Sequence, residues 1–260
     1  MLTPFDQVVE VIRREGYHRH RGQEHSNVVS LGVFNDLLRG CVALRQDFEA
    51  KIVNRWLNVR TPGARQRKID LLVGEPRYAR DAPDLDKLRV CVENKSVATA
   101  HRNRDARFDD LMEALQVLHR VKPEAVLLAT VMIGVAERYL NIPDKVKSFY
   151  KDRPEVFKSK IVPRLSSGDE SLWTEFSWAI SENEEDDPEK TVERFRQLPT
   201  RPPGHTHALG YDYVLLVPVY IDNVNPPRVA RKSLGIDLDR EYEQMLDVLC
   251  KAYTARWHLR

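Results

Sequence analysis

Lys68-Ile69-Asp70-Leu71-Leu72-Val73 and Leu88-Arg89-Val90-Cys91-Val92-Glu93-Asn94-Lys95 decide how this chain reads. Both are short runs rich in Val, Leu and Ile, which is strand composition. Each carries charge where an apolar residue would be expected: Asp70 interrupts the first, and Glu93 and Lys95 end the second. Side chains alternate across a strand, so Glu93 and Lys95 share one face while Val92 and Asn94 take the other. If the two strands pair, Asp70 sits beside Glu93. Two carboxylates held that close repel each other, and a hard divalent cation such as Mg²⁺ is the usual remedy. Lys95 then points at the same spot, placed to hydrogen-bond an attacking water or to stabilise charge developing on a phosphate.

Outward from this pair, the pattern alternates helix and strand. From 33 to 57 the apolar residues Phe34, Leu37, Cys41, Leu44, Phe48, Ile52 and Trp56 recur at three- and four-residue steps, which predicts a core-facing helix stopped by Thr61-Pro62-Gly63. The strand 68–73 follows, then a polar loop over 74–87, then the strand 88–95. A helix begins near Asp105, with Phe108, Leu111, Leu115 and Leu118 as its buried stripe. Residues 125–135 form a near-continuous apolar run, expected as a central strand covered on both faces. Helix, strand, strand, helix, strand makes an α/β core with a mixed central sheet flanked by helices.

The second half is less patterned. Helices are expected at 145–150 and 172–180. Residues 211–221 read as a strand that Pro218 confines to an edge or an ending. A final amphipathic helix over 239–257 places Tyr242, Met245, Leu249, Tyr253 and Trp257 on one side. The expected organisation is a single domain spanning 1–260. Its catalytic core covers about 27–150 plus the strand at 211–221, and 151–210 is an insertion or recognition region.

Asp70, Glu93 and Lys95 in this setting resemble the PD-(D/E)XK nuclease superfamily, to which most type II restriction endonucleases belong. The helix–strand–strand–helix–strand order from Phe34 to Val135 is similar to the family's core. Ile69 stands where the motif's name has proline, a substitution the family often tolerates. The resemblance implies Mg²⁺-dependent hydrolysis of a DNA phosphodiester, with Asp70 and Glu93 as metal ligands and Lys95 activating water. It also implies a further carboxylate from the first helix. Glu49 shares a helical stripe with Val42, Val53 and Trp56 and is expected at the buried edge, whereas Asp47 is expected in solvent.

Charge placement bears on the partner. The chain has 260 residues and a formal net charge of only +2, which excludes a binder driven by bulk positive charge. The positives nevertheless cluster, in Arg13, Arg14, His18, Arg19, His20 and Arg21, in Arg60, Arg65, Arg67 and Lys68, and in Arg102, Arg104 and Arg107. The negatives gather late, from Glu182 to Glu189, in what reads as a solvated or disordered segment. Directly after Lys95 comes a loop entering a helix N-terminus, a favourable place for phosphate. Arg102, Arg104 and Arg107 are therefore candidate DNA-backbone contacts, and His101 a candidate phosphate contact. Candidates for reading bases lie further on: Arg164, Arg201, His205, His207, Asn223, Asn225, Arg228, Arg231 and Lys232.

The expected protein is thus a type II restriction endonuclease acting on double-stranded DNA. Cutting both strands of a palindrome implies a homodimer, for which the apolar stripe of the final helix is one candidate surface. A cognate DNA methyltransferase is expected in the same system, though not as a bound subunit. A repair or junction-resolving nuclease on the same fold is the nearest alternative, followed by a non-catalytic DNA-binding protein. No run approaches a membrane span, and no signal peptide is read at Met1–Asp6. Cys41, Cys91 and Cys250 have no metal or disulfide spacing and read as buried thiols, so a reducing cytoplasm is the expected compartment.

Overall fold

In the computed structural model, the described residues are 2–15, 22–60, 68–77, 82–99, 101–141 and 179–259, with 148–150, 152–161, 163, 164, 167, 169 and 171 between the last two. Two helices open the chain, α1 (Pro4–Glu15) and α2 (Gln23–Gly40), followed by the short α3 (Val42–Glu49). The expected long helix is therefore broken. Gly40 is a poor helix residue, and Cys41 adopts an extended backbone (φ −110°, ψ 103°), so α3 leaves at 104° to α2. Trp56 and Leu57, assigned to that helix by periodicity, belong instead to strand β1 (Asn54–Arg60). The predicted stop at Thr61-Pro62-Gly63 lies outside the described residues, as do His18, Arg19, His20, Arg21, Arg65 and Arg67.

The two decisive runs are neighbouring strands, β2 (Lys68–Pro76) and β3 (Pro83–Val97). Both extend well into the expected polar loop and pair as far as Pro76 with Pro83. Helix α4 (Arg104–Val121) buries Phe108, Leu111, Leu115 and Leu118 as its spacing predicts. Strand β4 (Val126–Gly134) is buried at every residue. A separate two-stranded antiparallel sheet pairs β5 (Arg138–Asn141) with β6 (Ala179–Glu182), so a strand stands at the end of the helix expected at 172–180, whose remainder lies outside the described residues. The acidic segment is partly ordered: Asp187 and Glu189 occupy the first turn of α5 (Asp187–Arg196), where the helix dipole favours them. Strand β7 (Tyr213–Tyr220), the two-residue β8 (Arg228–Val229) and α6 (Leu238–Trp257) complete the fold.

The sheet order is β1-β2-β3-β4-β7-β8. Strands β1, β2 and β3 run antiparallel, β3, β4 and β7 run parallel, and β8 returns antiparallel. The architecture is thus an α/β fold with a mixed sheet between two helical layers. Pro218 is accommodated because β8 pairs only with Val219 and Tyr220, so β7 is the last long strand.

Two cores flank the sheet. One gathers Phe5, Val8 and Ile12 of α1, Val33, Phe34 and Leu37 of α2, and Tyr242, Met245, Leu249 and Tyr253 of α6. The other gathers Phe108, Leu111 and Leu115 of α4 with Val192 and Phe195 of α5. The stripe on α6 is therefore spent inside the molecule, which removes it as a surface for a second copy. Cys41, at the α2–α3 break, is disulfide-bonded to Cys250 in α6 with Cα atoms 5.2 Å apart; Cys91 is a free, buried cysteine. Three unrelated thiols were expected, and 209 residues of separation hid the pair. The cysteine usage accordingly gives no argument for a reducing compartment. Among the described residues, no single helix is long and apolar enough to cross a membrane.

Candidate active site

Asp70 marks a discontinuity in β2. Ile69 packs into the α4–α5 core and Leu71 into the α1–α2–α6 core, although residues two apart on a regular strand face the same way. The partner strand carries the matching irregularity: Asn58, between the pairs Leu57–Leu71 and Val59–Ile69, has φ 58°. Asparagine tolerates that left-handed backbone better than other non-glycine residues. On the other side, the regular β2–β3 register reaches Leu71 with Val92 and goes no further. Side chains take over the hydrogen bonds there. The Asn94 backbone N–H donates to Asp70 Oδ2 (2.7 Å), and the Asp70 backbone N–H to Glu93 Oε2 (3.4 Å).

Asp70, Glu93 and Lys95 are thus brought together where the two strands part. Glu93 is 2% exposed and Asp70 8%. Lys95 Nζ, itself largely covered, pairs with Glu93 Oε1. Burial pushes the Glu93 carboxyl up to about 7; Lys95 opposes this and the Asp70 charge adds to it. A buried site with two carboxylates and one ammonium retains a formal negative charge.

That residual charge is the observation against which a divalent cation is tested, and the residues fit one. Asp70 and Glu93 supply two hard oxygen donors, and a cation between them would offset their repulsion, which adds to the larger effect of burial on Glu93. Among the described residues, no group of three or more His, Cys, Asp or Glu is arranged to hold a metal. Asp70 and Glu93 would therefore be the side chains that hold the ion.

Glu49 does not occupy the position expected of it. It is exposed at the end of α3, whereas Asp47 is buried, the reverse of the helical-wheel expectation. The wheel failed because it continued a single helix through the break at Cys41 and on into β1. Asp47 Oδ2 accepts from Arg89 (2.6 Å), Tyr253 (2.7 Å) and His258 (3.0 Å), which ties α3 to β3 and the end of α6.

The basic loop divides into interior and surface parts. His101 is 1% exposed, with Nδ1 at 2.7 Å from Thr191 Oγ1 and Nε2 at 3.1 Å from the Gly134 carbonyl. Burial lowers its pKa. It is a buried structural group and not a phosphate contact. Gly134 is required beside it, because a Cβ there would lie 1.7 Å from the Ala98 carbonyl oxygen. Arg104 pairs with Asp187 of α5 (3.1 Å), while Arg107 is exposed and bonded to Asp110 (2.9 Å). Arg102 is exposed. A cavity of about 320 Å³ opens between α2 and the start of α4, walled by His25, Ser26, Asn94, Lys95, Arg107 and Thr130 among others. No carboxylate stands among its described walls, so it suits an anion beside Lys95.

Several base-reading candidates are already engaged. Arg201 is buried and paired with Asp212 (3.1 Å). Asn223 is buried on the Leu140 carbonyl (2.7 Å), and Arg231 bridges Asp6 and Asp239. His205, His207, Arg228 and Lys232 remain exposed.

Sequence reasoning missed the support behind the site. Asn94 passed as the neutral middle residue of Glu93-Asn94-Lys95, yet its side chain binds Ser26 and Ser30 of α2 and Thr130 of β4. A signal existed: Ser26 and Ser30 stand one helical turn apart beside the core residues Val29 and Val33, where apolar residues were due. Comparison of the chain with models of known protein families, with curated proteins and with solved structures finds no match.

Proposed function

We propose that this protein is a Mg²⁺-dependent endonuclease that hydrolyses phosphodiester bonds in double-stranded DNA, of the type II restriction class. The observation that carries the reading is the buried meeting of Asp70, Glu93 and Lys95 at the point where β2 and β3 part. Asp70 and Glu93 bind the cation through their carboxylate oxygens. The bound ion supplies charge neutralisation at the scissile phosphate and makes water more acidic. Lys95, steered by Glu93 Oε1, donates to the attacking water or to a phosphate oxygen. The cavity beside Lys95, with Arg107 in its wall, receives the adjoining backbone, and the exposed Arg102 contributes a further charge-assisted contact. Glu49 has no part in this reading.

A cut in both strands of a palindromic site calls for two copies related by a twofold axis. Incubation of the protein with a long, fully sequenced duplex in Mg²⁺ tests the proposal. Discrete fragments sharing one end sequence are expected. Cutting confined to branched or damaged DNA would move the same residues to a repair or junction-resolving role. Failure to cut any DNA in Mg²⁺ or Mn²⁺ would overturn the nuclease reading.

A further inference from the structure

Asn94 stands between the second carboxylate and the lysine, and it faces both ways. Its backbone N–H donates to Asp70 Oδ2 at 2.7 Å. Its side chain leaves on the opposite face of β3 from Glu93 and Lys95 and enters the α2 layer. There Nδ2 donates to Ser30 Oγ (2.8 Å), Ser26 Oγ (3.0 Å) and the Ser26 carbonyl oxygen (3.3 Å). Thr130 Oγ1 of β4 donates to Oδ1 at 2.7 Å. The Ser26 carbonyl can only accept, so the amide orientation is fixed with its NH₂ towards α2. Ser30 and Thr130 are both buried, so water competes little for these bonds.

One residue therefore ties α2, β2, β3 and β4 together at the point where the β2–β3 ladder ends. We infer that Asn94 is a positioning residue for the cation site: its anchored amide holds the peptide N–H that sets the rotation of the Asp70 carboxylate. A carboxylate fixed in this way loses less freedom when it takes up a cation than one that swings. The side-chain partners are two serines and a threonine, so the network uses no acid, which keeps added negative charge away from Glu93. The inference rests on the metal-dependent reading of Asp70 and Glu93.

Calorimetric titration with Mn²⁺, paired with thermal unfolding of the metal-free protein, tests it. Asn94→Ala is expected to weaken Mn²⁺ binding about tenfold or more, in the range usual for groups that orient metal ligands. Thr130→Val and Ser30→Ala, each removing one bond, should weaken it a few-fold. Ser26→Ala should do less, because the backbone carbonyl keeps its contact. A folded Asn94→Ala protein whose Mn²⁺ Kd stays within about twofold of the parent would overturn the inference, leaving Asn94 a purely structural role. Should Asn94→Ala fail to fold, Thr130→Val decides on the same criterion. Parent protein that binds Mn²⁺ while every variant matches it sinks this inference alone. Parent protein that binds no Mn²⁺ sinks the metal-dependent reading, and the inference with it.

Discussion

Two clusters of buried charge sit in this molecule, and they are built to opposite ends. Asp212 lies between Arg201 and Arg256, all three side chains essentially without exposure. Its oxygens also accept the Leu127 N–H (2.8 Å), and the guanidiniums run on to the carbonyls of Pro123, Glu124, Ala125, Pro203 and Thr206. The other cluster, Asp70–Glu93–Lys95, is largely but less completely buried and has two acids for one base and a carboxyl lifted to about 7. The first has two guanidiniums for one carboxylate, its excess positive charge faced by those carbonyls, and joins β4, the segment before β7, and α6. The second holds excess negative charge where β2 and β3 part, next to the lysine that helps to wall the cavity. Burial alone does not separate a structural charge from a functional one. The two differ in the sign of the excess charge and in what faces it: backbone carbonyl oxygens answer the guanidiniums of the first, whereas the second keeps an excess of acid.

The comparison breaks most sharply by substitution. Asp212→Ala strands two buried guanidiniums and should cost about 3–5 kcal/mol, measured as a lowered urea midpoint. Asp70→Asn should not destabilise the metal-free protein, because an amide oxygen can still accept the Asn94 N–H while the repulsion on Glu93 is removed.

The pH dependence of stability sharpens the same contrast. A carboxyl raised from 4.5 to about 7 keeps its proton in the folded protein after the unfolded chain has lost it. The folded state then binds more protons, so stability falls as pH rises across that window, by on the order of 3 kcal/mol for this group. Asp70→Asn should reduce that fall without abolishing it, because burial, the larger cause, remains; urea midpoints at about pH 5 and about pH 8 read the difference.

Smaller effects follow at the periphery. Arg102→Ala and Arg107→Ala should each weaken DNA binding regardless of sequence and lower the salt dependence of affinity by about one unit of slope, measured by titration at several salt concentrations. Glu49→Ala should change stability by no more than about 0.5 kcal/mol and leave cleavage unaffected. Loss of cleavage in that variant would restore the role first expected of it.

The parts of the site that were legible in the sequence are those with a local signature. Asp70 and Glu93 interrupt apolar strands, and an interrupted strand is visible within a few residues. The α/β alternation and the stripes on α4 and α6 were legible for the same reason. What stayed hidden depended on contacts across the chain. Asp47 was judged solvated because its partners Arg89, Tyr253 and His258 come from other elements. His101 and Arg201 looked like surface residues because Thr191, Gly134 and Asp212 are supplied from elsewhere in the fold. The break at Cys41 was masked by apolar spacing that continued at helical intervals into β1, where half-burial permits almost any order of residues.

The most direct measurement is cleavage of one duplex DNA in Mg²⁺ by the parent protein and by Asp70→Asn side by side, with DNA binding measured on the same samples. The expected result is cleavage by the parent, a loss of about 10³-fold or more in the variant, and nearly equal DNA affinity. Cleavage that survives in Asp70→Asn, or a parent protein that cuts nothing, would contradict the account.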